Sequence, residues 1–394
     1  MSSYKFTIFF SCIGYFVQAI TINFSPLLFN TFENEFGVSL SLISLLIAIS
    51  FTTQFITDLL IAKFSRKLNL RLMCVLAHIL AATGMIGFAF LPDILPNPYL
   101  GLAISTIVAA VGSGFIEIVI SPIVEACPTT KKEAAMSLLH SFYCWGHVGV
   151  VLISTAFFTL FGLENWKILA CIWAIVPLAN IFYFALVPIY SIVEDHEKMS
   201  LKTLLSQKVF WLLIVLMICA GASEQAMSQW ASAFAESALK VSKTIGDLAG
   251  PCAFAIFMGS ARAIYGKYSD RIPLKKMMAG SALLCIICYL VAALSGSPLM
   301  GLVGCAICGF SVGIFWPGTF SIAALRLPAG GTAMYALMAL AGDLGCSSGP
   351  TVVGLAANAF SGNLKIGLIL ALIFPAIMLI GVLIIRFKQS KGEN

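Results

Sequence analysis

Apolar and polar positions alternate on a long scale. Twelve apolar runs, at about 5–31, 39–62, 71–91, 99–126, 134–161, 166–189, 209–235, 245–266, 276–295, 298–325, 332–358 and 365–387, are separated by short polar breaks. Each run reaches about 20 residues, the length an α-helix needs to cross ~30 Å of hydrocarbon. The runs are almost wholly apolar and lack the two-residue alternation that the strands of a membrane barrel would show. The pattern predicts an all-α membrane protein with twelve transmembrane helices. Composition points the same way: 60% of residues are hydrophobic, 10% are charged and the mean hydropathy is +1.00, whereas soluble domains carry about a quarter charged residues.

The longest polar stretch, SIVEDHEKMSLKTLLSQK (191–208), separates six runs from six. It predicts an N-terminal six-helix bundle (1–190), a cytoplasmic linker (191–208) and a C-terminal six-helix bundle (209–394). With the N-terminus inside, the inner segments hold 18 Lys and Arg and the outer segments hold four, Lys167, Lys240, Lys243 and Lys365, while Arg262 falls within the eighth run. Positive charge stays on the cytoplasmic side of short loops, so both termini are expected in the cytoplasm of a multi-pass plasma membrane protein, in bacteria the inner membrane. That asymmetry accounts for the net charge of +6 and implies no nucleic-acid partner. The first run is too long for a signal-peptide core and no small-residue cleavage site follows it, so it is expected to remain as a span.

The two halves share a local sequence. AKFSRKLNLRLM (62–73) aligns without a gap to GKYSDRIPLKKM (266–277) at an offset of 204. A duplicated six-helix unit follows, with a solute site expected near the midplane between the halves. The second copy, with Gly266, Asp270, Arg271, Lys275 and Lys276, resembles the signature inner loop of the major facilitator superfamily, Gly-x-x-x-Asp-Arg followed by two basic residues. The first copy is degraded, with Ala62 at the glycine position and Arg66 at that of the acid. The resemblance implies the major facilitator fold of two six-helix bundles and a gating role for Gly266, Asp270 and Arg271, since this loop latches helix ends by charge pairs in the family.

Other segments are similar to the fucose-proton symporter branch. These are FIEIVISPI in the fourth run, GASEQAMSQW in the seventh, GFSVGIFWPGTFSIA in the tenth and ALAGDLGCSSGP in the eleventh. The resemblance implies proton symport of a sugar or related polyol. Two departures move the expectation away from fucose itself: the first run has no acid between residues 5 and 32, and Phe142-Tyr143 replaces the branch's Phe-Asn.

A charged side chain at the bilayer centre costs at least ~2.5–3.5 kcal/mol, so such residues face a cavity or a partner. In the fourth run Glu117, Ser121 and Glu125 recur every four residues and share one stripe. Glu117 lies about nine residues, ~14 Å, from the inner end, which makes it the candidate coupling acid. Glu125 is expected at the inner rim as a solvated cap. Asp343 is also deep, and Arg262, one turn inside the membrane, is expected to pair with it and gate the cycle. His147, like His140, could relay protons, because imidazole titrates near neutral pH.

The seventh run carries Glu224, Gln225, Ser228, Gln229, Ser232 and Glu236 on a broad polar face that cannot turn to lipid. Tryptophan beside amides suits a polyhydroxylated ligand, the ring packing on C–H faces and the amides meeting hydroxyls. The candidate solute-binding residues are therefore Gln18, Asn23, Tyr143, Glu224, Gln225, Gln229, Trp230 and Trp316. Gly301, Cys305, Gly309 and Gly313 form a small-residue stripe for close helix contact, and Pro317 beyond them can bend a gate.

Several motifs are excluded. GCSSG (345–349) fits a hydrolase pattern but lies in a membrane helix rather than at a strand-to-helix elbow. CIIC (285–288) and CAIC (305–308) lack acid or histidine partners and are read as packing, with no metal. No Gly-x-x-x-x-Gly-Lys loop appears, so ATP coupling within the chain is not expected. What remains is a monomeric secondary transporter without a cofactor, whose partners are the lipid bilayer, a small polar solute and protons, with sodium the other possible ion. The alternative is a proton-coupled exporter of drugs or metabolites, disfavoured because the fifth run has no Gly-Pro pair.

Overall fold

A computed structural model describes residues 3–64, 69–129, 132–190, 199–268 and 272–385. These residues form two six-helix bundles. The first holds α1 (Tyr4–Asn23), α2 (Leu40–Phe64), α3 (Leu70–Ile94), α4 (Pro98–Glu125), α5 (Lys132–Phe161) and α6 (Trp166–Leu186). The second holds α7 (Lys208–Ser228), α8 (Ala253–Tyr268), α9 (Leu274–Leu294), α10, which is broken into Pro298–Val312 and Phe315–Arg326, α11 (Gly331–Ala359) and α12, in segments Leu364–Ala371 and Ile373–Ile384. Eleven of the twelve spans are long and apolar enough to cross a membrane. The exception, α11, has 29 residues and carries Asp343, Pro350 and many small side chains.

The first span runs further than its hydropathy predicts. After α1 a turn containing Pro26 leads into a helix, Phe29–Phe36, which ends at Gly37 in the left-handed region at φ 66°. Two other spans contain wide turns that loosen the hydrogen-bond ladder: Phe234–Ala238 beyond α7, and Leu248–Cys252 ahead of α8. Such irregular backbone is tolerated at membrane depth only where protein or a cavity covers it; Phe234, Ala235, Gly250, Pro251 and Cys252 of these turns are buried.

Glycines set how closely the helices approach. On α11, a Cβ at Gly345 would strike the carbonyl of Ile218 and one at Gly349 that of Ala222, so α7 and α11 touch backbone to backbone. The GCSSG segment is thus a helix-packing surface. The small-residue stripe of α10 behaves in the same way: Gly309 and Gly313 lie against the α8 carbonyls of Phe254 and Met258. The two bundles meet where α2 packs along α11 and α5 along α8.

Candidate transport site

Glu117, on α4, meets two amides from different helices. Gln18 of α1 donates Nε2 to Glu117 Oε2 at 2.8 Å, and Gln54 of α2 donates to the same oxygen. Gln54 is itself oriented by Ser113, whose hydroxyl donates to its Oε1 at 3.0 Å. One turn further along α4, Ser121 shares a 2.8 Å hydrogen bond with Tyr15.

The sequence reading missed the neighbours of Glu117. Asp58 on α2 and Asp343 on α11 come to it so closely that one oxygen of each acid lies within 4.8 Å of the other two. Asp58 and Asp343 are 4% and 3% exposed, and Asp58 Oδ1 and Asp343 Oδ2 have no hydrogen-bond partner among the described residues. Asp343 belongs to the C-terminal bundle, so the cluster spans the interface between the halves. None of the three acids forms an ion pair among the described residues.

The expected pairing of Arg262 with Asp343 is not what the structure shows. Arg262 Nη2 lies 3.5 Å from Glu224 Oε2, its Nε donates to the Gly313 carbonyl at 3.2 Å, and its Nη1 reaches Cys144 Sγ across the bundle interface at 3.2 Å. The guanidinium is held between α7, α8, α10 and α5, whereas Asp343 faces α2 and α4. The amides of α7 continue from that ion pair as a ladder: Gln225 Nε2 donates to Glu224 Oε1 at 3.3 Å, and Gln229 Nε2 to Gln225 Oε1 at 3.0 Å.

The other candidates are dispersed. Trp230 is fully buried at the break after α7, with its indole N–H donated to Pro350 O at 2.9 Å and its ring 5.4 Å from that of Phe29. Asn23 donates back to Ala19 O at 3.0 Å. Tyr143 and Trp316 are half-buried, and the Trp316 ring lies on Gly342, beside Asp343. His147 is buried, while His140 is exposed and meets the Tyr15 ring edge-on at 5.3 Å. Gly266 occupies the last turns of α8, and Asp270 and Arg271 lie outside the described residues. A narrow cleft is lined by Ser25, Phe29, Phe51, Thr106 and Gln229 among others. It lies between the acids and the face opposite the termini, and none of the three acids lines it.

CIIC and CAIC face each other across α9 and α10, with Cys285 and Cys308 sulfurs 4.0 Å apart. Among the described residues the four thiols do not gather as a metal-holding group.

Near the face opposite the termini, Lys243 ties the bundles together. Its Nζ donates to the Leu27 carbonyl at 2.5 Å and lies 3.2 Å from both Glu236 and the fully buried Asp247. Thr155 of α5 donates to Asp247 at 3.4 Å.

Two membrane-spanning six-helix bundles with buried acids and amides at their interface define a multi-pass helical membrane protein of the transporter kind. The family model for the Major Facilitator Superfamily matches residues 6–350, and the chain belongs to that superfamily. It shares its fold with the E. coli fucose:proton symporter (TM-score 0.64, 16% identity, 96% of this chain and 98% of that one). It also matches a bacterial homologue of the human lysosomal transporter Spinster (0.76, 14%, 96% of each) and a D-xylose-proton symporter (0.74, 13%, 97% of each). No curated protein matches the sequence.

Proposed function

We propose that this transporter imports a small polar solute, a sugar or polyol, by proton symport through alternating access, with both termini in the cytoplasm and, in a bacterium, within the inner membrane. One observation carries the reading: Glu117 is held by two buried amides beside two further acids at the bundle interface. Like charges at that spacing repel strongly where water is scarce, so the group is stable only when it carries a proton or cation. Amide donors serve the ionised carboxylate of Glu117, and Gln18 and Gln54 can turn to a solute hydroxyl instead. When the amides turn to the solute, the ionised carboxylate loses its donors and takes up a proton more readily, so solute and proton occupancy favour each other. The fold neighbours named for fucose and xylose symport favour this substrate class.

For solute contact we assign Gln18, Asn23, Tyr143, Glu224, Gln225, Gln229, Trp230 and Trp316. Gln229 already borders the cleft, whereas Trp230 reaches solute only once α11 withdraws from it. Asp343 and then His147 are the further proton carriers, and Arg262 with the Gly266, Asp270 and Arg271 loop serves gating.

The test uses proteoliposomes and a panel of sugars and polyols, first screened by thermal shift of the purified protein, because a ligand raises stability by mass action. Glu117→Gln preserves shape but cannot release a proton. It should abolish accumulation driven by a pH gradient while solute counterflow between equal-pH compartments persists. Concentration of solute by the Gln variant under a pH gradient alone would remove Glu117 from the coupling role.

A further inference from the structure

We infer that Asp58 is a coupling carboxyl, and that a proton held between Asp58 on α2 and Asp343 on α11 fastens the two bundles together on their outer side. The inference rests on the proton-symport reading and adds to it a residue and a mechanical consequence.

The pair sits on the seam where α2 of one bundle packs along α11 of the other. Moving outward from it, Ser347 shares a 3.2 Å hydrogen bond with Thr52 and donates to the Ala48 carbonyl at 3.4 Å. Still further out, Gly354 is packed on Ser44. Asp58 and Asp343 therefore close the inner end of a continuous run of cross-bundle contacts, and they are the only members of that run able to change charge.

Their surroundings give them few alternatives. Asp58 Oδ1 and Asp343 Oδ2 are buried without a hydrogen-bond partner among the described residues, an expensive condition for any carboxyl oxygen. A Cβ on Gly114 of α4 would come within 2.8 Å of Asp58 Oδ1, so that glycine is what lets the carboxyl lie against α4.

The titratable groups facing the pair are Glu117 from α4, Tyr15 from α1 and Cys346 from α11 itself. From α7 the nearest is Glu224, already matched by Arg262. With one proton the two carboxyls can share a hydrogen bond across the seam. With none they are two anions facing each other, and the seam is pushed apart. Because proton binding and seam closure favour each other, each must strengthen the other by the same factor. A proton arriving from outside closes the outer side; its departure to the cytoplasm lets that side reopen.

The experiment is hydrogen–deuterium exchange of the outer seam segments, 40–52 and 347–359, in the full-length protein in sodium-free detergent solution. It runs from acidic to alkaline buffer, corrected for the intrinsic pH dependence of exchange. Wild-type seam amides should lose protection as pH rises. In Asp58→Asn the amide can still bond to Asp343 when that acid is ionised, so protection should become independent of pH, and uptake driven by a pH gradient should be lost. Asp58→Asn is close in size to the native residue, and an unchanged melting temperature would confirm that it folds. Gly114→Ala, which displaces the carboxyl without altering charge, should shift the pH midpoint of protection. Wild-type pH dependence in the folded Asp58→Asn protein would overturn the inference, as would protection that follows added sodium rather than pH. The exchange readout needs no solute, so it stands or falls separately from the sugar assignment.

Discussion

Glu224 and Arg262 illustrate what a linear reading of buried charges can and cannot provide. Their depth in the membrane was plain from the sequence, but which acid an arginine reaches depends on how α8 is rotated, and one residue of rotation turns a side chain by about 100°. The structure pairs Arg262 with Glu224 at 3.5 Å. Removing one member of a buried pair strands the other charge, so Glu224→Gln and Arg262→Met should each lower the melting temperature more than the double variant does. The coupling energy should be on the order of 1 kcal/mol or more; additive losses in a double-mutant cycle would dismiss the pair as a functional unit. Asp58 escaped notice for a different reason. It lies four residues from the end of the second apolar run, close to Lys63 and Arg66, where hydropathy places a residue among lipid headgroups. A signal was present in Ser50, Gln54 and Asp58, a polar stripe at four-residue spacing, but nothing in one sequence shows that Asp343 would face it.

At the scale of elements, the internal repeat has a concrete meaning. Arg71 and Lys275 occupy equivalent positions at the offset of 204. Arg71 opens α3 and donates to the carbonyls of Phe184 and Ala185 at 2.8 and 2.7 Å, at the end of α6. Lys275 opens α9 and donates to the carbonyls of Leu383 and Ile385 at 2.8 and 2.9 Å, at the end of α12. Each half thus uses the same basic position to close its last helix, where unpaired carbonyls and the negative end of the helix dipole favour a cation. Arg71→Met and Lys275→Met should each destabilise the protein by about 0.3–1 kcal/mol, read as a lower melting temperature in detergent, with the two losses adding because the sites lie in different bundles. The repeated basic residues were visible in the sequence, whereas their carbonyl partners, more than a hundred residues away, were not.

For the molecule as a whole, the twelve apolar runs gave the helix count and the six-plus-six division, because a membrane permits few solutions for a long apolar segment. Hydropathy does not report how a span is interrupted. The breaks after α1, around Trp230 and ahead of α8 arise from proline, glycine and tertiary packing, and they place Lys243 and Asp247 at the junction on the face opposite the termini. There the Lys243 ammonium meets a backbone carbonyl, that of Leu27, in the opposite bundle. Lys243→Met removes that tie and leaves Asp247 buried without its cation, so the face opposite the termini should open more readily. Faster deuterium uptake at residues 25–30 is the expected sign, and unaltered uptake there would show that the remaining outer contacts suffice without the lysine.

The imbalance of charge at the three-acid cluster has an electrical consequence. Two of its carboxyls belong to one bundle and one to the other, and among the described residues no cation pairs with them. On the proton-symport reading, a carrier that has released its proton would hold uncompensated negative charge within the membrane's voltage drop, where each elementary charge crossing the full field is worth about 2.3 kcal/mol per 100 mV. A cell interior negative to its surroundings would push that charge outward and, for the proposed importer, help return the empty site to face the outside. Uptake at fixed pH on both sides should rise with an imposed potassium diffusion potential, negative inside, and indifference to the potential would mean that the returning carrier is electrically neutral.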